Sequence, residues 1–175
     1  MKKSIMLLVI FLSNVFFLAG CVEKPEGITP VNNFEAEKYL GTWYEIARYD
    51  YTFERGLSHV TAAYSMRDDG GLKVVNRGYS PENAEWKESI GKAYFVEGKD
   101  TGYFKVSFFG PFYSSYVIFD LDENYQYALV TGEDKSYLWI LSRTPTIPED
   151  VKGSLLAKAT AMGFDINKLI YVDQY

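Results

Sequence analysis

Cysteine and histidine are almost missing from this sequence, with one of each in 175 residues. A lone Cys forms no intrachain disulfide, and a lone His builds no His-rich metal site. Basic charge is in deficit: 18 Lys and Arg face 23 Asp and Glu, a net charge of −5. That sign disfavours a nucleic-acid phosphate backbone as partner. No apolar run has the roughly 20 uninterrupted residues that a membrane-spanning helix needs. The stretch from Ile5 to Leu18 is broken by Ser13 and Asn14. A disordered chain is excluded too, since 47% of residues are hydrophobic and 23% charged. What the chain has in plenty is aromatic side chains, 15 Tyr, 12 Phe and 3 Trp. They favour strands around a large apolar interior, and the length suits one domain.

Lys2 and Lys3 precede the interrupted apolar stretch, which reads as a secretory signal over residues 1–20. It ends Leu18-Ala19-Gly20-Cys21, which resembles the lipobox of bacterial lipoproteins. The resemblance implies cleavage before Cys21 and lipidation of its thiol, so Cys21 would anchor the chain to a membrane. Val22 stands where such lipoproteins carry Asp when kept in the inner membrane, which implies sorting to the outer membrane, facing the periplasm. Residues 21–30, with two prolines and a glycine, read as a tether, and residues 31–175 as the folded domain.

From Gly41 onward, short aromatic and β-branched runs alternate with turn clusters such as Asp68-Asp69-Gly70-Gly71 and Asp122-Glu123-Asn124. The spacing predicts an all-β fold. Its eight antiparallel strands fall near 42–49, 59–67, 71–79, 88–97, 102–109, 113–121, 125–131 and 136–143. Side chains alternate across a strand, so charged residues mark the wet face. By that parity Val60, Ala62 and Tyr64 face inward, as do Leu72, Val74 and Asn76, then Gly91, Ala93 and Phe95. Phe104, Val106 and Phe108 follow, and Asp120 places Tyr113, Val117 and Phe119 inside the sixth strand. An eight-stranded barrel has room for side chains or for one small ligand. Parity alone leaves both options open. Beyond the strands, Val151, Leu155, Ala159 and Met162 recur at helical spacing before Gly163, predicting one C-terminal helix packed outside the sheet. Leu169 to Val172 reads as a last extended piece at the barrel edge.

Gly41-Thr42-Trp43 resembles the Gly-x-Trp signature that opens the first strand of lipocalins, and Arg143 lies where that family carries an Arg after its last barrel strand. The resemblance implies an eight-stranded up-and-down barrel in which Arg143 packs over Trp43 and closes one end. Phe53-Glu54-Arg55-Gly56-Leu57 and Ser107 to Tyr113 are similar to the bacterial outer-membrane branch. That branch implies binding of a fatty acid or lysophospholipid in envelope maintenance, without enzyme activity and without a cofactor. The expected ligand wall is Val60, Tyr64, Val74, Phe95, Val106, Phe108 and Val117, with Trp139, Tyr113 and Asn76 as polar-tipped candidates. Tyr113 would donate to an acidic head group. Glu45 shares a face with Trp43 and needs a partner or a proton. His59 reads as a surface or rim residue, and Asp120 to Asn124 as a hairpin turn, because a calcium loop would need Gly at Tyr125 and Glu at Thr131. The rival from another class is an envelope structural or interaction protein with a filled barrel. A lipid hydrolase is the third reading. Oligomeric state, including a homodimer, stays open.

Overall fold

The computed structural model describes residues 22–175, so the signal segment and Cys21 lie outside the described residues. A short helix α1 (Ala36–Tyr39) precedes strands β1 (Gly41–Arg48), β2 (Ser58–Met66), β3 (Leu72–Ser80) and β4 (Glu85–Phe95). Then come β5 (Tyr103–Ser107), β6 (Ser114–Leu121), β7 (Tyr127–Thr131) and β8 (Trp139–Ser142). Each strand pairs antiparallel with the next, and β8 returns to β1, closing an eight-stranded up-and-down barrel. Helix α2 (Glu149–Ala161) lies outside it, and β9 (Ile170–Tyr171) adds to β1 at Ala47 and Arg48. The strands form where the aromatic and β-branched runs predict them. Helix α1 was not among the predicted elements: four residues are too few to show a helical period.

Two apolar clusters follow from the alternation of side chains. The inner one holds Phe34, Tyr39, Trp43, Tyr64, Phe104 and Ile118. The outer one lies between the wall and α2, with Val117, Leu129 and Ile140 against Leu155, Ala159 and Phe164. Lys158 of α2 pairs with Asp120 at 2.8 Å on this outer side.

The floor is built on Trp43, which is fully buried and donates from its indole Nε1 to the carbonyl of Tyr39 at 2.9 Å. The Arg143 guanidinium lies 4.0 Å above that ring. It also donates to the carbonyls of Lys38 (2.7 Å), Thr42 (3.0 Å) and Tyr125 (3.2 Å). One side chain thus satisfies orphan carbonyls from three segments while covering the indole face. Gly41 takes φ +91°, where L side chains are strained, and Arg143 Nη1 lies 3.5 Å from the position of a Cβ there.

Three inward assignments do not hold, and a local break explains two of them. Val117 and Phe119 face outward into the α2 cluster, Phe119 stacking on Phe164 at 5.2 Å. The β6–β7 register shifts between Ile118 and Asp120, so Phe119 and Asp120 both reach the outer side. Counting back from Asp120 therefore inverts the strand, and Tyr116 and Ile118 point inward instead. Tyr113 precedes β6 and lies on the outer wall, beside Tyr94 and within 5.9 Å of both the Lys92 and Lys105 ammonium groups. Of residues 21–30, read as a tether, the described ones lie along the outer wall. Tyr103 donates to the carbonyl of Val22 (2.7 Å), Ser115 donates to that of Glu23, and Ile28 is buried in the outer cluster.

Candidate functional site

The loops that join β1 to β2, β3 to β4, β5 to β6 and β7 to β8 gather at the end opposite the Trp43 floor. Between them opens a cavity of about 490 Å³. That volume falls in the range of small-molecule sites, ~300–1,000 Å³.

Of the predicted ligand residues, Tyr64, Val74, Asn76, Val106, Phe108 and Trp139 line this cavity. Phe95 faces inward but packs on Phe104 at 4.7 Å, towards the closed end. Val60 is buried beside Leu57 and Gly78, and of these only the latter two line the cavity. Val117 and Tyr113 are on the outside, as described. At Gly91, which faces inward, a Cβ would meet the Phe108 ring at 2.8 Å. The missing side chain lets that ring pack close against the β4 backbone and shape the wall.

Polar groups converge at two levels. Deep in the cup, Tyr64 donates to the Tyr116 hydroxyl at 2.8 Å, and Tyr116 and Tyr39 share a further bond at 2.8 Å. Burial pushes all three phenols above their ordinary range, so they stay neutral donors and acceptors. Higher up lies a buried ionic cluster. Arg48, 2% exposed, donates from Nη1 to Glu45 Oε1 at 2.9 Å and from Nη2 to the backbone carbonyl of Glu54 at 2.6 Å. Its Nε lies 3.8 Å from Glu54 Oε2 without a hydrogen-bond partner. Trp139 donates from Nε1 to that same Glu54 oxygen at 3.2 Å, with Tyr51 and Tyr137 packed against its ring.

Burial drives the Glu45 carboxyl well above the usual carboxylate range, and repulsion from Glu54 pushes the same way against the pull of Arg48. Burial also raises Glu54, opposed by the Trp139 N–H and by Arg48. Two carboxyls facing one guanidinium therefore hold a proton more readily than free acids do. The cluster ties the Asp50–Ser58 loop to β1, because Glu54 belongs to the first and Glu45 and Arg48 to the second.

Sequence reasoning missed Arg48, Glu54 and Tyr116. Arg48 shares a face with Glu45 only because the β1–β8 register shifts between Glu45 and Ala47, which turns Ala47 outward. The signal that pointed to it was Glu45 itself, an inward carboxylate in need of a cation. His59 stands edge-on to Tyr79 and Trp86, and its Nδ1 is 2.9 Å from Ser58 Oγ. In the β6–β7 turn, Asp122 accepts from the backbone N–H groups of Asn124, Gln126 and Tyr127, as a hairpin turn requires. Among the described residues no group of three His, Cys, Asp or Glu is placed to hold a metal ion. No described helix is long and apolar enough to cross a membrane.

A closed barrel with an Arg-capped Trp floor and an open apolar cup has clear counterparts. The chain is 58% identical to the outer membrane lipoprotein Blc of Vibrio cholerae, over 90% of this chain and 92% of that protein. It is 56% identical to the protein of that name from Escherichia coli, over 91% of each. The cockroach allergen Per a 4 superposes with a TM-score of 0.70 at 19% identity, covering 87% of this chain and 96% of that one. The lipocalin-like domain family matches residues 34–174. Sequence, topology and floor geometry therefore agree, and the chain belongs to the lipocalin family.

Proposed function

We propose that this protein is a lipid-anchored lipocalin of the outer membrane that faces the periplasm. In this role it holds a single-chain amphiphile, a fatty acid or lysophospholipid, for storage or transport. It acts as a binder and performs no chemistry on its ligand. The observation that carries this reading is the open cup of about 490 Å³ between Val74, Val106, Phe108 and Trp139. An acyl chain laid there gains about 0.8 kcal/mol per methylene removed from water. A dozen methylenes give roughly 10 kcal/mol before the cost of ordering the chain. Apolar contact alone therefore supports tight binding, and polar groups serve to select the head. The lipobox ending at Cys21 and the names of the two bacterial relatives support the anchor and its membrane.

Fluorescence titration tests the cup. Lysophospholipid added to delipidated protein is expected to shift Trp139 emission, and Trp139→Phe to remove most of the shift. No shift, together with a ligand-free mass in native mass spectrometry at saturating lipid, would leave only a barrel that binds nothing.

A further inference from the structure

The rim of the cup is more apolar than water contact favours. Phe53 of the β1–β2 loop is 64% exposed, and Phe109 and Phe112 of the β5–β6 loop are 80% and 77% exposed. All three border the cavity mouth. Single exposed apolar residues are ordinary on a protein surface, whereas three aromatic rings at one opening form a patch that calls for a partner. The Phe112 N–H donates to the Phe109 carbonyl at 3.1 Å, which fixes the loop so that both rings project from its tip. Directly behind the tip, the ammonium groups of Lys92 and Lys105 lie 5.9 and 5.3 Å from the Tyr113 ring. Apolar rings at the tip, then a tyrosine with basic charge, match the layering of a lipid surface from acyl chains to head groups.

The path of the N-terminal segment gives independent support. Asn32 pairs with Thr101 at the closed end, and the segment before it climbs the outer wall to Glu23, whose carbonyl accepts from Ser115. Ser115 follows Phe112 by three residues, about 10 Å along an extended chain. Cys21, the expected anchor, directly precedes Val22 in the sequence. With residues 22–31 fastened to the wall, little slack separates an anchor at Cys21 from the phenylalanine rim.

We propose that the mouth of the barrel docks on a lipid bilayer, with Phe53, Phe109 and Phe112 entering the boundary between head groups and acyl chains. This rests on the lipoprotein reading above. An amphiphile then passes between leaflet and cup without its tail crossing water.

The test removes the covalent anchor and uses ligand-free vesicles of phosphatidylethanolamine and phosphatidylglycerol, so it does not depend on the cup binding anything. The Cys21→Ser protein without the signal residues 1–20 is expected to co-float with the vesicles. Adding Phe109→Ser and Phe112→Ser should reduce its partitioning by at least about tenfold, with the thermal midpoint preserved. Met66→Ser, an exposed apolar residue at the closed end, should leave partitioning unchanged and so reports the orientation. Phe112→Trp should add emission quenched by lipids brominated near the head group. Equal partitioning of the Phe109→Ser/Phe112→Ser and parent proteins, or an unquenched Trp at 112, would overturn the proposal. So would sedimentation showing that the patch is buried in a homodimer that ignores vesicles. If vesicles bind but titration finds no ligand in the cup, docking stands and the binding function fails.

Discussion

Arg48→Met removes the one buried cation between Glu45 and Glu54, and the outcome follows from what surrounds it. The guanidinium is 2% exposed and donates to Glu45 Oε1 and to the Glu54 carbonyl. Methionine fills most of the volume but supplies no donor, leaving two buried carboxyls with no opposite charge. Breaking a buried pair from one side costs about 3–5 kcal/mol, a large part of a domain's ~5–15 kcal/mol. The loss should depend on pH. Both carboxyls already sit above their ordinary range in the folded state. A group raised in this way binds more protons folded than unfolded. Its stabilising contribution is complete below the unfolded value near 4.5 and is lost as pH rises through the folded value. Wild-type stability from denaturant titration should therefore fall as pH rises above 5, by at most about 1.4 kcal/mol per pH unit for each proton released. Arg48→Met should steepen that fall, because each carboxyl is then harder to ionise. Glu45→Gln supplies the neutral form permanently and leaves Glu54 to balance Arg48, so it should flatten the slope. If Glu45→Gln keeps the wild-type slope, or Arg48→Met matches wild type at pH 8, the cluster does not hold the proton assigned to it.

Trp43→Ala should cost about 3–5 kcal/mol in chemical unfolding. A cycle with Arg143→Ala should show coupling, since the two groups lie 4.0 Å apart, and additive losses would deny the stacking. Tyr113→Phe should leave amphiphile affinity unchanged in a fluorescence titration, because the ring lies on the outer wall. Tyr116→Phe, which breaks the deep hydroxyl chain, should change affinity for ligands whose polar group reaches Tyr64, by up to about tenfold. Cys21→Ser should abolish acylation, so that intact-mass spectrometry of the protein from cells finds the bare polypeptide in place of one carrying more than one acyl chain.

The strands were legible because their signal is local: a β-branched or aromatic run, a turn cluster, another run. The floor was legible because Trp43 and Arg143 mark its two ends. The inner face of β6 was not, since parity carries across a strand only while the pleat is unbroken. One extra residue at Phe119 reverses everything counted back from Asp120. The same happens in β1, where the break between Glu45 and Ala47 hides Arg48 from the reader of the sequence. Helix α2 compounds the difficulty, because it makes part of the outer wall as dry as the inner one. Val117 and Leu129 are both fully buried although they face away from the cup. Hydrophobicity then no longer separates inside from outside. The cavity itself is not decided by composition, since the Phe108 ring occupies the place where a side chain at Gly91 would stand.

The union of β1 and β2 makes the barrel unequal around its mouth. The two strands pair only from Gly41 to Tyr44, near the floor. Above that the C-terminal segment takes over. The Val172 N–H donates to the Ile46 carbonyl, the His59 N–H donates to the Asp173 backbone carbonyl, and the Gln174 amide donates to the carbonyls of both Glu45 and Val60. The upper seam is thus held by a zip fastener made from the tail rather than by its own two edges. Pulling that fastener would expose unpaired backbone along two neighbouring strands, an open invitation to foreign strands. It would also loosen the mouth on the side where the Glu54 loop is attached. A fusion placed at Tyr175 therefore begins one residue beyond the last tooth, and the length of its linker decides whether the seam stays shut.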